Sequence, residues 1–362
     1  MSTKILIVGS GGREHAIGWK FAEDFKRKQE KVDLFFVPGN AGTAKLGENI
    51  ALNSITEMKD FALENKIDLT FVGPEAELAE GIVDLFQANH LPIFGPHREA
   101  AKLESSKAFA KDFMHKYGVK TAEYKVFQGP MLAIEYLEKA SFPIVIKASG
   151  LAAGKGVIIC QDFDQAKKAV LEIMEDKTFG DAGNEVVIEE YLEGFEASIL
   201  SFFNGKTIIP FISAKDHKKI GEGETGLNTG GMGAIAPNPL FTEAHYQAFL
   251  EDVLEPTKCG LIKEGLRFSG VIFFGLMITT KGVYLLEYNL RMGDPETQTT
   301  LPLLENDLYD VVQKTIKNEE FTLEFSAQHS CCVVMVSGGY PGNYEKGYPI
   351  RGLDQVTCPT FI

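Results

Sequence analysis

The sequence predicts a multidomain protein of α/β and α+β class, with a parallel α/β domain at its N-terminal end. Short apolar runs at residues 4–8, 34–37 and 69–72 each end in glycine or proline and alternate with helical patterns. Strands that alternate with helices in this way form parallel sheets. Farther along the chain, long apolar runs at residues 271–278 and 283–291 flank a glycine turn, which is typical of an antiparallel hairpin.

Composition and charge narrow the range of functions. The 362 residues are 44% hydrophobic, which is enough to bury a large core divided between two or three domains. A net charge of -14 and a pI of about 5.1 argue against nucleic acid as a partner, but they allow a locally basic pocket. No apolar run approaches membrane-spanning length, and the N-terminus shows no signal-peptide pattern. Five cysteines without metal-ligand spacing fit a reducing compartment, so we expect a cytoplasmic protein.

The glycine-rich loop after the first strand, at residues 9–15, joins that strand to a helix. This geometry presents backbone N–H groups and the positive end of the helix dipole to an anion. Glu14 stands where the dinucleotide-binding fingerprint has its third glycine, and a carboxylate there would repel a pyrophosphate. The loop therefore either holds a phosphate or polar substrate or is a purely structural turn. Ligands bind at the carboxyl ends of parallel strands. The residues expected to line one crevice there are Gly11, Gly12, Arg13, Glu14, Asn40, Pro74 and Glu75.

A second glycine-rich segment joins two apolar strands at residues 143–147 and 157–160. It is not a P-loop, because that motif has four residues between its glycines and Ser or Thr after its lysine, whereas here Gly156 follows Lys155. A loop of this kind between two strands makes a flexible flap that folds over phosphates, with backbone N–H groups and Lys155 as positive partners. Lys147, on the first strand, is within reach of the same phosphates.

Two further segments are expected to face a ligand. The first is the strand and turn at residues 184–194, because a strand edge with free backbone groups suits adenine and Glu196 nearby suits ribose hydroxyls. The other interpretation of these acidic residues is a solvated strand end. The second is the glycine-rich segment at residues 221–233, which lies inside an apolar region and allows close backbone approach to a ligand.

The second strand of the predicted hairpin carries a candidate metal site. Side chains at i, i+2 and i+4 share one face of a strand, so Glu287, Asn289 and Arg291 are expected to lie together. Carboxylate and amide oxygens suit Mg²⁺, alongside waters and phosphate oxygens, and an arginine beside them suits a planar anion. The alternative is the solvated outer face of an edge hairpin.

Several of these motifs occur in a specific order. They are Gly-Ser-Gly-Gly-Arg-Glu-His-Ala at 9–16, Val-Gly-Pro-Glu at 72–75, Ser-Ser-Lys-Ala-Phe at 105–109, Ile-Lys-Ala-Ser-Gly-Leu-Ala-Ala-Gly-Lys-Gly-Val at 146–157, Asp-His-Lys at 216–218, Asn-Thr-Gly-Gly-Met-Gly at 228–233 and Arg-Met-Gly-Asp-Pro-Glu-Thr-Gln at 291–298. In this order they resemble the phosphoribosylamine–glycine ligases, the glycinamide ribonucleotide synthetase family of the ATP-grasp superfamily. The resemblance covers nearly the whole chain.

The resemblance implies a fold in three parts. An N-terminal parallel α/β (pre-ATP-grasp) domain would occupy residues 1–101. A two-lobed ATP-grasp domain would follow at 102–325, with a small flap lobe at about 121–190. Residues 326–362 would begin a C-terminal subdomain. Family members continue beyond this point, so we expect that subdomain to be incomplete.

The resemblance also implies a reaction. ATP, glycine and 5-phosphoribosylamine would give glycinamide ribonucleotide, ADP and phosphate through glycyl phosphate, in purine biosynthesis. Mg²⁺ or Mn²⁺ would accompany the ATP. The partners would be these small molecules, without nucleic acid or membrane, and the protein would be a monomer or a weak homo-oligomer.

Family roles carry over residue by residue. The metal ligands would be Glu287 and Asn289. The nucleotide would be held by Lys107, Lys147, Gly150, Gly154, Lys155, Gly156, Glu189, Glu190, Tyr191, Leu192 and Glu196. Glycine, the acyl phosphate and the amine would be held and oriented by Asp216, Asn228, Thr229, Gly230, Gly231, Arg291, Asp294 and Glu296. The N-terminal crevice would hold phosphoribosylamine. The catalytic residues would be Arg291, Asp216 and Lys155.

Departures and alternatives complete the prediction. Many ATP-grasp enzymes place a further metal carboxylate on the strand before the hairpin turn, whereas residues 271–278 contain no acid, so Glu287 must carry more of the metal binding. Another ATP-grasp carboxylate–amine ligase would share the nucleotide residues but differ at 216–233. An inactive or binding-only product of a shortened C-terminus is the other alternative. A nicotinamide oxidoreductase would explain neither the flap nor the Glu-x-Asn-x-Arg strand.

Overall fold

The computed structural model describes residues 2–152 and 156–362, apart from the side chain of Asp354. Its N-terminal part contains five strands, which are β1 (Thr3–Gly9), β2 (Val32–Pro38), β3 (Glu48–Asn49), β4 (Leu69–Val72) and β5 (Ile93–Phe94). The helices of this part are α1 (Gly12–Lys28), α2 (Ile55–Asn65), α3 (Glu75–Glu80), α4 (Ile82–Ala88) and α5 (Arg98–Ser105). The strands pair in the order β3-β2-β1-β4-β5, and every pair is parallel.

Both faces of this sheet are buried, because alternate side chains of β1 enter two different cores. Ile5 and Ile7 pack with Phe21 of α1, whereas Leu6 and Val8 enter the core that lies under α2 and α4. Burial on both faces is what a continuous apolar run predicts for a parallel strand. The parallel sheet predicted from the sequence is therefore confirmed.

The next part of the chain is a small lobe built on an antiparallel sheet. Its elements are α6 (Lys107–Tyr117), β6 (Tyr124–Phe127), α7 (Pro130–Leu137), β7 (Ile144–Ala148), β8 (Val157–Cys160), α8 (Phe163–Met174) and β9 (Val186–Glu190). The strands pair in the order β6-β9-β7-β8, with α7 and α8 packed on the sheet through a shared core. The expectation of a free strand edge at residues 184–194 was wrong, because β9 lies between β6 and β7. Within this segment β9 covers Val186–Glu190, and the chain leaves the sheet after Glu190.

A large lobe follows. Its strands are β10 (Phe195–Asn204), β11 (Ile208–Pro210), β12 (Lys215–Asp216), β13 (Lys219–Gly221), β14 (Thr225–Asn228), β15 (Gly233–Ala236), β16 (Ser269–Thr279), β17 (Gly282–Asn289) and β18 (Ser330–Val333). Its helices are α9 (Glu243–Phe249), α10 (Glu255–Lys263), α11 (Glu296–Thr300) and α12 (Leu308–Ile316). The main sheet has the order β11-β10-β16-β17, which confirms the predicted β16–β17 hairpin. A second sheet has the order β12-β15-β18, and β13 pairs with β14 as a ribbon.

The large lobe and the N-terminal sheet share one hydrophobic core. Phe202 of β10 packs edge-on against Phe94 of β5, with ring centroids 5.7 Å apart. The backbone N–H of Gly95 donates to the carbonyl of Ser269 at 2.9 Å, which links the end of β5 to the first residue of β16. This packing holds the loops of the N-terminal sheet beside the β16–β17 hairpin.

The C-terminal segment after β18 returns to the N-terminal part. It contains a 3₁₀ turn at Leu353–Gln355, and the ring of Phe361 packs edge-on against both His15 and Trp19 of α1. Within the two described ranges, no helix combines the length and apolar character that crossing a bilayer requires. The domain boundaries proposed from the sequence stay a prediction, and α5 runs across the first of them.

Candidate active site

A β-bulge in the hairpin determines which side chains of β17 face the cleft between the lobes. Glu287 pairs with Gly275, whereas Leu285 pairs with Leu276, so Leu286 is an extra residue on its strand. An extra residue reverses the alternation of side chains along a strand. Before the bulge the odd-numbered residues of β17 face the core, and after it the even-numbered residues do.

Burial along β17 follows this reversal. Val283 and Leu285 enter the core before the bulge, and Tyr288 and Leu290 enter it afterwards. Without the bulge, one of these pairs would face the cleft. The side chains that the bulge leaves together on the cleft side are Glu287, Asn289 and Arg291, as the sequence predicts.

Arg291 is held by acids from two other elements. Its Nε lies 3.1 Å from Glu104 of α5 and 3.6 Å from Glu75 of α3. Burial alone would lower the pKa of Arg291, but Glu104 and Glu75 outweigh it and raise the pKa. One Nη donates to the Oδ1 of Asn289 at 3.3 Å. A fixed guanidinium therefore lies between the predicted metal pair and the N-terminal crevice.

Glu287 and Asn289 fit a Mg²⁺ or Mn²⁺ ion by the chemistry of their donors. Burial would raise the pKa of Glu287, but the charges of Lys218, Lys147 and Lys107 outweigh it and hold the pKa below its ordinary value. The carboxylate is thus ionised at neutral pH. Across the described residues, no group of three or more His, Cys, Asp or Glu could hold a metal alone. One carboxylate and one amide oxygen suit an ion that takes its other ligands from water and phosphate.

The predicted phosphate lysines lie near this pair. Lys107, the first residue of α6, donates to the carbonyl of Gly150 in the flap segment at 3.0 Å. Lys147 on β7 is buried and lies 2.9 Å from Glu189. The carboxylate of Glu189 is thus turned towards a lysine. The prediction that residues 189–192 bind adenine stays a prediction, with the side chain of Tyr191 exposed.

Part of the predicted flap lies outside the described residues. Gly154 and Lys155, and with them one of the three predicted catalytic residues, fall in the gap between residues 152 and 156. The flap is anchored on either side of the gap, because the N–H of Gly150 donates to Ala182 and the carbonyl of Gly156 accepts from Ala148.

Glu196, the predicted ribose contact, pairs with a lysine that the sequence analysis did not assign. The ammonium of Lys218 lies 2.9 Å from the Oε2 of Glu196. Burial would lower the pKa of Lys218, but Glu196 and Glu287 outweigh it and raise the pKa. Lys218 is therefore a permanent positive charge between the predicted ribose and metal positions.

Asp216 on β12 and Glu296 on α11 form a buried pair of acids. Glu296 accepts a hydrogen bond from the Oγ of Ser198 at 3.0 Å, whereas the Oδ1 of Asp216 has no partner within the described part of the chain. Burial, together with the charge of Glu296, raises the pKa of Asp216 to about 8. Burial raises the pKa of Glu296 as well. Two neighbouring acids of this kind keep a proton at neutral pH, and the free oxygen offers an acceptor to an amine.

The glycine-rich segment lies against this pair. Gly231 has φ of +117°, and a Cβ there would come 2.9 Å from the Oδ1 of Asp216. Only glycine allows this close approach in this conformation. Thr229 is fixed by two hydrogen bonds of 2.8 Å to the carbonyl of Lys218, and the N–H of Gly230 binds the hydroxyl of Tyr340 at 2.9 Å. Asn228, at the end of β14, is exposed.

In the N-terminal loop, the carboxylate of Glu14 binds other residues of the same segment. Glu14 is buried, accepts from the N–H of Gly11 at 2.7 Å and lies 2.5 Å from the Nε of Arg13. Arg13 also donates to the carbonyl of Met292 at 3.2 Å, which ties the loop to the end of the hairpin. The predicted substrate role of Arg13 and Glu14 stays a prediction, and both side chains are engaged inside the protein.

The other residues of the predicted crevice do lie together. Asn40 donates to the carbonyl of Ser10 at 2.9 Å and also to the carbonyl of Ile362. Pro74 caps α3, directly before Glu75. Asp294 accepts from Gln298 at 2.7 Å, and the same Gln298 side chain borders Gly12. The carboxyl ends of three strands and the segment after β17 thus form one wall.

Sequence reasoning missed three charged residues of the site. Lys111 follows Lys107 by four residues on α6, so helix periodicity could have found it, and Lys218 lies in the Asp-His-Lys motif at 216–218. Glu104 carries no local signal, because its partners Leu290 and Arg291 lie far along the chain.

The chain matches two family models over most of its length. Residues 3–104 match the phosphoribosylglycinamide synthetase N domain, and residues 105–297 match the phosphoribosylglycinamide synthetase ATP-grasp (A) domain. The chain belongs to the phosphoribosylglycinamide synthetase family. The family and the fold class predicted from the sequence are therefore confirmed, and so is the enzyme class, an ATP-dependent ligase.

Individual proteins of the family are similar over almost the whole chain. A phosphoribosylamine–glycine ligase of Clostridium acetobutylicum is 54% identical over 362 residues, which are 99% of this chain and 86% of that protein. A crystal structure of phosphoribosylamine–glycine ligase from Thermotoga maritima has a TM-score of 0.82 and 34% identity, covering 95% of this chain and 83% of that one. A biotin carboxylase–β-γ-ATP complex from Campylobacter jejuni has a TM-score of 0.72 at 16% identity, covering 94% of this chain and 77% of that one, and shows the shared fold alone.

Proposed function

We propose that the chain joins glycine to 5-phosphoribosylamine, using ATP and forming glycinamide ribonucleotide, ADP and phosphate in purine biosynthesis. The observation that carries this proposal is the cleft face of β17. There the ionised Glu287 and the amide of Asn289 lie among several cations, namely Lys107, Lys147, Lys218 and Arg291. That combination suits polyphosphate with a divalent metal.

The nucleotide would lie between the two lobes. Lys107 and Lys147 would contact its phosphates, and Glu196, fixed by Lys218, would accept from the ribose hydroxyls. A bound Mg²⁺ or Mn²⁺ would neutralise phosphate oxygens on the side of Glu287 and Asn289. Positioning and charge neutralisation are the main needs of phosphoryl transfer, and these side chains are placed to supply them.

Glycine and the amine would meet beside Asp216 and Glu296. In the proposed sequence the glycine carboxylate attacks the γ-phosphate of ATP to give glycyl phosphate and ADP. The amine of phosphoribosylamine then forms the C–N bond as the acyl C–O bond to phosphate breaks. The free Oδ1 of Asp216 would accept a hydrogen bond from the amine, and the proton that the amine releases would leave on the departing phosphate.

The N-terminal crevice would hold phosphoribosylamine, with its amine directed towards α11. The contact between Arg13 and Met292 supports this placement, because it fixes the crevice loop against the segment that leads into Glu296. The five cysteines are free in the structure, which supports the cytoplasm as the working compartment. A monomer or a weak homo-oligomer remains our expectation.

The test is turnover by the purified chain with Mg²⁺ or Mn²⁺, ATP, glycine and freshly generated phosphoribosylamine. Release of ADP that needs both glycine and phosphoribosylamine, together with formation of glycinamide ribonucleotide, is expected. ADP release that is independent of the added amine would point to another carboxylate–amine ligase. Nucleotide binding without turnover would support the binding-only alternative. Glu287→Ala serves as the inactive reference.

A further inference from the structure

Lys111 is a buried cation to which the reaction outlined above gives no role. Its ammonium lies 3.0 Å from the Oε2 of Glu189, and that of Lys147 lies 2.9 Å from the Oε1. The side chains of Lys111 and Glu189 are each 2% exposed, and that of Lys147 is 7% exposed. One carboxylate thus faces two lysines almost without solvent.

The geometry points to Lys111 as a positioning residue that neutralises Glu189. The charge of Lys147 is then not cancelled by that carboxylate and can attract the phosphates of a nucleotide. Two ammonium groups and one carboxylate leave one positive charge in excess. Lys147 lies on β7, the strand that leads into the flap segment. Without Lys111, the remaining lysine and carboxylate would cancel, because oppositely charged groups at contact distance in a poorly solvated site attract each other strongly. This inference rests on the proposed role of Lys147 in nucleotide binding.

The surroundings of Lys111 fix the ammonium where this effect requires it. Lys111 donates to the Oγ1 of Thr121 at 2.7 Å, and Thr121 in turn donates to the carbonyl of Leu285 on β17 at 2.6 Å. Burial lowers the pKa of Lys111 to about 8, a value at which the group is still mainly charged at neutral pH. The ring of Tyr124 lies 5.9 Å from the same ammonium and adds a cation–π contact.

Two nucleotide probes distinguish this role from simple structural support. ADP carries the phosphates that Lys147 would attract, whereas adenosine uses the same base and ribose contacts without them. Lys111→Met keeps the length of the side chain and removes its charge. In calorimetric titrations of the full chain with Mg²⁺, we expect Lys111→Met to weaken ADP binding by about tenfold, about 1.4 kcal/mol, and to leave adenosine binding nearly unchanged.

A second substitution tests the charge count directly. Lys111→Met combined with Glu189→Gln again leaves Lys147 without a neutralising partner, so the ratio of ADP to adenosine affinity should recover towards the wild-type value. Glu189→Gln alone leaves both lysines without their carboxylate, so the ratio of ADP to adenosine affinity should rise above the wild-type ratio. This variant keeps the inference testable if Lys111→Met does not fold.

The matched control is Lys20→Met. Lys20 forms an equally buried pair with Asp24 at 2.7 Å, but it lies on α1, in the N-terminal part. Its loss should lower stability without changing the ratio of ADP to adenosine affinity. Equal losses for ADP and adenosine in Lys111→Met, or no recovery in the double variant, would overturn the inference. Failure of the wild-type chain to bind ADP at all would instead contradict the proposed function on which the inference depends.

Discussion

Glu104 binds both the backbone and a side chain at the end of β17. Its Oε2 accepts from the N–H of Leu290 at 2.6 Å, and its Oε1 lies 3.1 Å from the Nε of Arg291. Burial raises the pKa of Glu104, and the neighbouring guanidinium opposes that rise. One carboxylate on α5 thereby sets the direction in which β17 leaves the sheet and the position of Arg291.

Glu104→Gln should destabilise the protein and slow turnover. Glutamine keeps the size of the side chain but leaves a largely buried guanidinium without its nearest anion. Breaking such a pair from one side costs roughly 3 kcal/mol, and Glu75 at 3.6 Å offsets only part of this. Urea unfolding measures the loss. Glu99→Gln is the control on the same helix, because its pair with Lys102 is exposed and should contribute less than about 1 kcal/mol. Equal effects of the two substitutions would contradict the role of Glu104.

Glu287→Gln should separate metal binding from nucleotide binding. Loss of one carboxylate ligand should reduce turnover by at least about 100-fold and raise the Mn²⁺ concentration required in the presence of ADP. It also removes a negative charge that faces Lys218, Lys147 and Lys107. Metal-free ADP should therefore bind more tightly than to the wild type, while ADP with metal binds more weakly.

Mn²⁺ binding followed by electron paramagnetic resonance measures the first effect of Glu287→Gln, and calorimetry with and without metal measures the second. Glu251→Gln, at an exposed position between α9 and α10, is the control for the loss of one acid. A variant with unchanged Mn²⁺ affinity would show that Glu287 is not a metal ligand.

The sequence predicts the strands and helices better than it predicts the strand register and the ion-pair partners at the site. The parallel sheet and the hairpin could be predicted because hydrophobic periodicity and turn signals depend only on residues that are close together in the sequence. The bulge at Leu286 has no such signal, because it depends on the register with β16. The interior position of β9 depends on which strands pair with it, so the expected free edge at residues 184–194 was wrong.

Ion pairs between residues that are far apart in the sequence could not be predicted either. Glu287, Asn289 and Arg291 could be grouped by their spacing on one strand. Glu104 and Arg291 could not, because no local pattern joins residues that meet only after three elements have packed. Lys111 had a usable signal in its spacing from Lys107, but its partner Glu189 is again a tertiary neighbour.

Gly73→Ala should destabilise the N-terminal crevice through a steric clash with Glu14. A Cβ at Gly73 would overlap the Glu14 carboxylate, which cannot move away because it is held by Gly11 and Arg13. Overpacking of this kind costs typically about 1–3 kcal/mol. Thermal unfolding measures the loss. Gly338→Ala is the control, since a Cβ there meets nothing within 4 Å. If Gly73→Ala melts at the wild-type temperature, Glu14 is not fixed as the structure has it.

Asp216→Asn should make the protein less sensitive to rising pH. The pKa of Asp216 is about 8 in the folded chain, against an ordinary value of 3.8, so between these values the folded state holds a proton that the unfolded state has released. Raising the pH through this window therefore favours unfolding. Asparagine cannot ionise, and it relieves the repulsion with Glu296.

The free energy of unfolding of Asp216→Asn, minus that of the wild type, should accordingly increase from pH 5 to pH 8. Urea titrations at a series of pH values measure this difference. Asp164→Asn, on the exposed side of α8, is the control for the loss of one surface carboxylate. A difference for Asp216→Asn that does not change with pH would mean that no proton is held between Asp216 and Glu296. The amine acceptor proposed for the ligation step would then have to be an ionised carboxylate throughout.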